Sequence, residues 1–199
     1  DGIFYARYND DFLIAHPDLA AMHEADARID ALLSELGVKR KLAKERRTAL
    51  SAPGLPCTDD PAYLGGNRID SLGLSVSYAG TMAVGPKHLQ RFLSRIATRI
   101  DGVAPALAPL PLHDRARQLV LTTNVMLDVT NPFAMTGVSA LLDVTTDRGV
   151  LKDLDFRIAR KIVQVATGRT GVRGFRLVSP ATLRREFGLV SLVHLRNLR

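Results

Sequence analysis

The sequence predicts an α+β fold, with strands and helices mixed in the first hundred residues and mainly helices after that. Three observations carry this. Apolar, β-forming residues flank Asn9-Asp10-Asp11 and recur with period two from Ser71 to Val84. Apolar residues recur at helical spacing through Leu19–Leu36, Leu89–Ile96 and Leu151–Val165. Pro105, Pro109 and Pro111 then mark a break between the two styles of sequence. The expected division is residues 1–100, a proline-rich linker at 101–113, and a helical, basic segment at 114–199.

Composition limits the function classes. The chain has 199 residues, 46% hydrophobic and 24% charged, as in ordinary globular proteins. No apolar run is long enough to span a bilayer, and the predicted setting is the cytoplasm. Cys57 is the only cysteine, which excludes an internal disulfide and fits a reducing compartment. The net charge of +7 favours a polyanionic partner. His16, His23, His88, His113 and His194 are scattered and form no zinc spacing with Cys57. Gly168-Arg-Thr-Gly171-Val-Arg-Gly174 lacks the Gly-Lys-Ser/Thr of a P-loop and reads as a flexible basic turn that touches phosphates.

In chain order, Ile3–Tyr8 and Phe12–Ala15 predict a hairpin whose strands are buried on at least one face, with Asp10 and Asp11 at its tip. A solvated turn explains a bare Asn-Asp-Asp. Two adjacent carboxylates on buried strands instead call for a compensating cation, a hard divalent ion such as Mg²⁺. His16-Pro17-Asp18 opens a helix that ends at Gly37, its apolar stripe facing a sheet as core. Lys39–Thr48 is a basic run, and 52–70 reads as a loop insertion in which Asp59-Asp60 is a surface turn. Ser71–Tyr78 alternates as one strand, turns at Ala79-Gly80 and returns through Thr81–Val84. Gly85-Pro86-Lys87 starts a helix with Arg91, Arg95 and Arg99 on its outer face. Helices are expected from Asp114 to Val129 and around Leu151–Val165, with Asn131-Pro132-Phe133 interrupting between them.

From Phe156 to the end, ten Lys or Arg face a single acid, Glu186. That bias points to polyanion contact. The few aromatics noted there, Phe175 and Phe187, favour contact with the phosphate backbone over base stacking. An acidic membrane is a poorer fit, because no amphipathic helix carries bulky aromatic anchors.

Arg7-Tyr8-Asn9-Asp10-Asp11-Phe12 resembles the catalytic hairpin of bacterial reverse transcriptases of the group II intron and retron type, with Asn9 where Ala is common. Further matches follow in order. Leu36-Gly37-Val38 and Arg47-Thr48 look like the segment that carries a Lys-Thr pair, with Arg in place of Lys. Leu72-Gly73, a hairpin and Pro86-Lys87 resemble the primer grip and the entry to the thumb.

The resemblance implies the C-terminal part of a right-hand polymerase palm followed by a helical thumb, and RNA-directed DNA synthesis from deoxynucleoside triphosphates with two Mg²⁺ ions. Asp10 would be the direct metal ligand and Asp11 its neighbour, with Tyr8, Asn9, Leu72 and Gly73 beside the primer or nucleotide. Arg47 would lie on the pyrophosphate side. Lys87, Arg91, Arg157, Arg160, Lys161, Arg169 and Arg173 would touch the RNA template and DNA primer. The family's other metal-binding Asp and its fingers precede this hairpin, so the 199 residues are expected to need that upstream part, from the same or a partner chain, for activity. The alternative is a non-catalytic nucleic-acid-binding module of a mobile element or phage-defence system.

Overall fold

The computed structural model describes residues 3–8, 11–55, 58–130 and 137–199, without the side chains of Ala6, Tyr8 and Asp11. It is α+β: small antiparallel and parallel sheets in the N-terminal part, followed by a helical region. The chain divides into two compact units, residues 1–72 and 73–199.

In the first unit, strands β1 (Phe4–Tyr8) and β2 (Asp11–Ala15) pair antiparallel, from Phe4 with Ala15 to Tyr8 with Asp11. Helix α1 (Leu19–Glu35) starts where Asp18 accepts a hydrogen bond from the Ala20 amide at 3.0 Å. That removes one of the orphan N–H groups of the first turn. It stops at a Schellman turn: Gly37 adopts φ +67°, its N–H donates to the Ser34 carbonyl, and Val38 N–H donates to Leu33 O at 2.8 Å. Both ends lie where the capping residues predict.

Strands β3 (Thr48–Leu50) and β4 (Leu64–Gly66) pair in parallel, and β5 (Arg68–Ser71) follows. The stretch 52–70 is therefore not all loop. Only Ala25 is buried among the described residues of this unit. The expected cover over the hairpin and α1 is missing: Phe4, Tyr5 and Phe12 are exposed, and Leu36 is 75% exposed. A few three- to five-residue strands and one helix bring too little apolar surface together to bury either element.

The second unit begins with the hairpin of β6 (Leu74–Ser77) and β7 (Met82–Val84), with Leu74 opposite Val84. The predicted turn holds, with Gly80 at φ +76° and its N–H donating to Ser77 O. The single strand predicted from Ser71 to Tyr78 does not. Leu72 and Gly73 have φ of +53° and +80° and form a tight turn between β5 and β6. Positive φ at both central positions is the backbone of a two-residue hairpin turn, which an alternating sequence hides.

Helix α2 (Pro86–Leu107) starts at Gly85 with Pro86 at its first position, as expected. It continues through Asp101 and Pro105 to Leu107, and the next helix begins at Leu112, so most of the predicted linker is helical. The bend is confined to 108–111, where Arg115 donates to the carbonyls of Ala108 and Leu110, and also to Ala166. Helices α3 (Leu112–Leu127), α4 (Val138–Val144), α5 (Arg148–Thr167), α6 (Gly171–Phe175) and α7 (Leu192–Asn197) complete the unit, with a π-helical turn at Thr182–Glu186. Asn131-Pro132-Phe133 lies outside the described residues.

One core unites these helices. Ile96 and Ile100 of α2, Leu119 of α3 and Ile162 of α5 are almost fully buried in it. Asp147 caps α5 by accepting from Gly149 and Val150, and the Thr146 and Asp147 amides both donate to Met82 O on β7. These bonds fix the β6–β7 hairpin to the helical core.

Candidate functional site

The register of β1 and β2 sets the geometry of the N-terminal hairpin. Tyr8 pairs with Asp11, so Asn9 and Asp10 are the only residues between the paired strands. Asn9 and Asp10 lie outside the described residues, as do the side chains of Tyr8 and Asp11. Among the described residues, no group of three or more His, Cys, Asp or Glu could hold a metal ion. A metal at this hairpin would need a carboxylate from elsewhere to accompany Asp10 and Asp11.

Arg47 sits at the entry to β3 and is already engaged. Its Nε donates to Glu45 Oε1 at 2.6 Å and a terminal nitrogen donates to Asp26 Oδ2 at 2.7 Å. The Glu45 hydrogen bond raises the Arg47 pKa above its ordinary value, against the lowering effect of burial, with Asp26 adding to the rise. Arg40 holds the other Asp26 oxygen and donates to the Asp26 carbonyl. Two arginines therefore clamp α1 to the segment leading into β3. A phosphate at Arg47 would have to displace two carboxylates. Burial also raises the phenol pKa of Tyr63, an effect that nearby Arg47 lessens. Asp60 keeps its turn role, accepting from the Ala62 amide, and adds a 3.0 Å contact with His23.

Leu72 and Gly73 belong to the turn just described, not to an open strand. Gly73 does allow a close approach, but from within the protein. Gly85 N–H donates to Gly73 O at 2.6 Å, and a Cβ on Gly73 would come within 3.1 Å of His88 Nε2.

The cations of the second unit differ in their commitments. Lys87 and Arg91 project from the exposed side of α2. Arg157 pairs with Asp153, and Lys161 with Asp101, each at 2.7 Å. Exposed pairs of this kind contribute about 0–1 kcal/mol and exchange readily for another anion. Arg160, Arg169 and Arg173 are exposed and make no ion pair among the described residues. The segment 168–174 is not a flexible turn. Gly168 caps α5 at φ +68° and α6 starts at Gly171. Buried Gly174 leaves no room for a side chain: a Cβ would lie 2.6 Å from Arg169 O and 2.7 Å from a Val163 methyl.

The aromatics also sort differently from the sequence reading. Phe187 is buried, with the Arg117 guanidinium 5.6 Å from its ring centre. Phe156 is instead exposed on α5, its ring centroid 5.9 Å from that of Phe175 on α6. Sequence reasoning missed Phe156. Its signal was there: a lone aromatic on the polar side of an amphipathic helix, with Lys152 four residues before it and Arg160 four residues after.

No protein-family model, curated protein or solved structure matches the chain. No helix among the described residues is long and apolar enough to cross a membrane.

Proposed function

We propose that this chain supplies the catalytic hairpin and the thumb of an RNA-directed DNA polymerase. The observation that supports this best is the strand register: Tyr8 pairs with Asp11, so an Asn-Asp tip joins two strands carrying aromatic and basic residues. In this reading Asp10 and Asp11 form one side of a site for two Mg²⁺ ions, and an upstream carboxylate forms the other. Mg²⁺ held by these carboxylates would lower the pKa of a primer 3′-hydroxyl and offset charge on a departing pyrophosphate.

The chain's own residues position the reactants. Tyr8 and Asn9 flank the primer terminus or incoming nucleotide. The Leu72-Gly73 turn, tied to Gly85, gives a rigid edge at the start of the second unit. Lys87, Arg91, Arg160, Arg169 and Arg173 bind backbone phosphates of the template and primer, a term that weakens steeply with salt. The exposed apolar faces of β1, β2 and α1 would be covered by the upstream palm. Arg47, held by Glu45 and Asp26, acts through the clamp on α1 more than on pyrophosphate.

That commitment of Arg47 also favours a second reading, a nucleic-acid-binding module that does no chemistry. Reconstitution tests the polymerase reading. Adding a polypeptide with the upstream palm and fingers should give Mg²⁺-dependent extension of a DNA primer on an RNA template. No incorporation by the folded, complete assembly would overturn it.

A further inference from the structure

Phe156 and Phe175 bring α5 and α6 together at an exposed corner of the second unit. Phe175 packs partly against the hydrophobic core, while Phe156 is 51% exposed. Their ring centroids are 5.9 Å apart with planes inclined at 31°. One ring is thus rooted and props the other at the surface. Lys152 and Arg160 lie one helical turn to either side of Phe156 on α5, and Arg173 and Arg176 lie on or beside α6. All four are exposed and make no ion pair among the described residues. The acid closest in sequence on α5's exposed side, Asp153, is taken by Arg157.

We infer that Phe156, propped by Phe175 and flanked along α5 by Lys152 and Arg160, is a stacking platform for an unpaired base of single-stranded nucleic acid. An exposed phenyl ring offers a π-face to any base, and the flanking cations hold the phosphates on either side of it. A duplex keeps its bases stacked inside and uses the cations alone. A lipid surface would take the cations, but needs a broad apolar face in place of one ring. The inference rests on nucleic acid being the partner and is independent of the chemistry at Asp10.

The test measures binding of the 199-residue chain to a fluorescent pyrimidine oligonucleotide and to an abasic oligonucleotide of the same length and charge. The base-bearing strand should bind about tenfold more tightly, which corresponds to about 1.4 kcal/mol and lies within the range for one stacked base. Phe156→Ala and Phe156→Leu should both remove that difference while leaving the abasic affinity and its salt dependence unchanged. The leucine variant keeps apolar surface but loses the ring face, so its loss of the preference for the base-bearing strand identifies stacking as the cause. Equal affinity for the two strands in the wild type, or an unaffected Phe156→Leu, would overturn the platform while leaving the nucleic-acid partner standing. No binding of either strand at low salt would overturn both. Binding to anionic phospholipid vesicles that Phe156→Ala abolishes, with no base dependence in the wild type, would also overturn the platform.

Discussion

If the proposed polymerase reading holds, Asp10→Asn in the chain reconstituted with an upstream palm and fingers should lower primer extension about a thousandfold or more, with binding to primer–template unchanged. The substitution keeps the size of the side chain and removes one negative charge from the hairpin tip. A hard divalent ion depends on that charge, and an amide oxygen is a poor replacement. A thousandfold loss corresponds to about 4 kcal/mol of transition-state stabilisation, within what metal ions supply in nucleotidyl transfer. The proposal places phosphate binding on the cations of the second unit, so the salt dependence of affinity should match the wild type. Single-turnover incorporation and a binding titration at two salt concentrations measure the two quantities separately. If the protein is a binding module without chemistry, Asp10→Asn leaves its function untouched.

Asp155→Ala should destabilise the helical unit by about 2–4 kcal/mol. Asp155 is a buried carboxylate on α5, only 6% exposed. It accepts a hydrogen bond from Ser191 Oγ at 2.6 Å and another from the Leu192 amide at 2.8 Å. Ser191 in turn caps α7 through the His194 amide. Removing the carboxylate strands two donors at the start of α7 and releases Leu192, which is fully buried. Asp155→Asn keeps an acceptor for the amide and should cost about half as much or less. The midpoint of urea denaturation, followed by circular dichroism, reads both variants. A midpoint for Asp155→Ala equal to that of the wild type would contradict this account of how α7 is held.

Features written in short sequence windows were legible, and those fixed by distant contacts were not. Asp18 and Gly37 mark the ends of α1 because capping is local. The apolar spacing of Leu151, Leu154, Ile158 and Ile162 places one face of α5 in the core. The Leu72-Gly73 turn escaped notice because Leu has no sequence preference for positive φ, and its neighbours alternate as a strand does. Strand β4 was hidden because Gly65 and Gly66 have low strand propensity, and their partners Ala49 and Leu50 are distant in sequence. Pro105 lies inside α2, three residues before its end cap at Ala108, so the break it suggested comes only after the helix ends.

The candidate site divides in the same way. The N-terminal hairpin follows from Asn and Asp between β-formers, but Asp11, read at its tip, belongs to β2 opposite Tyr8. The capture of Arg47 by Asp26, distant in sequence, does not follow from local residues. Nor does the exposure of the hairpin strands, since an apolar run reads the same whether or not something covers it. The role of Asp155 is likewise set at a distance, by Ser191 and Leu192 at the start of α7.

The central claim is that the Asp10-Asp11 hairpin holds divalent metal, and it can be tested without relying on turnover. With hydrogen peroxide and ascorbate supplied, Fe²⁺ in place of Mg²⁺ in the reconstituted assembly generates hydroxyl radicals that cut the backbone near a bound ion. Cleavage is predicted at residues 8–12, suppressed by excess Mg²⁺ and lost in Asp10→Asn. A cleavage pattern that avoids the hairpin, or one unchanged by Asp10→Asn, would contradict the claim.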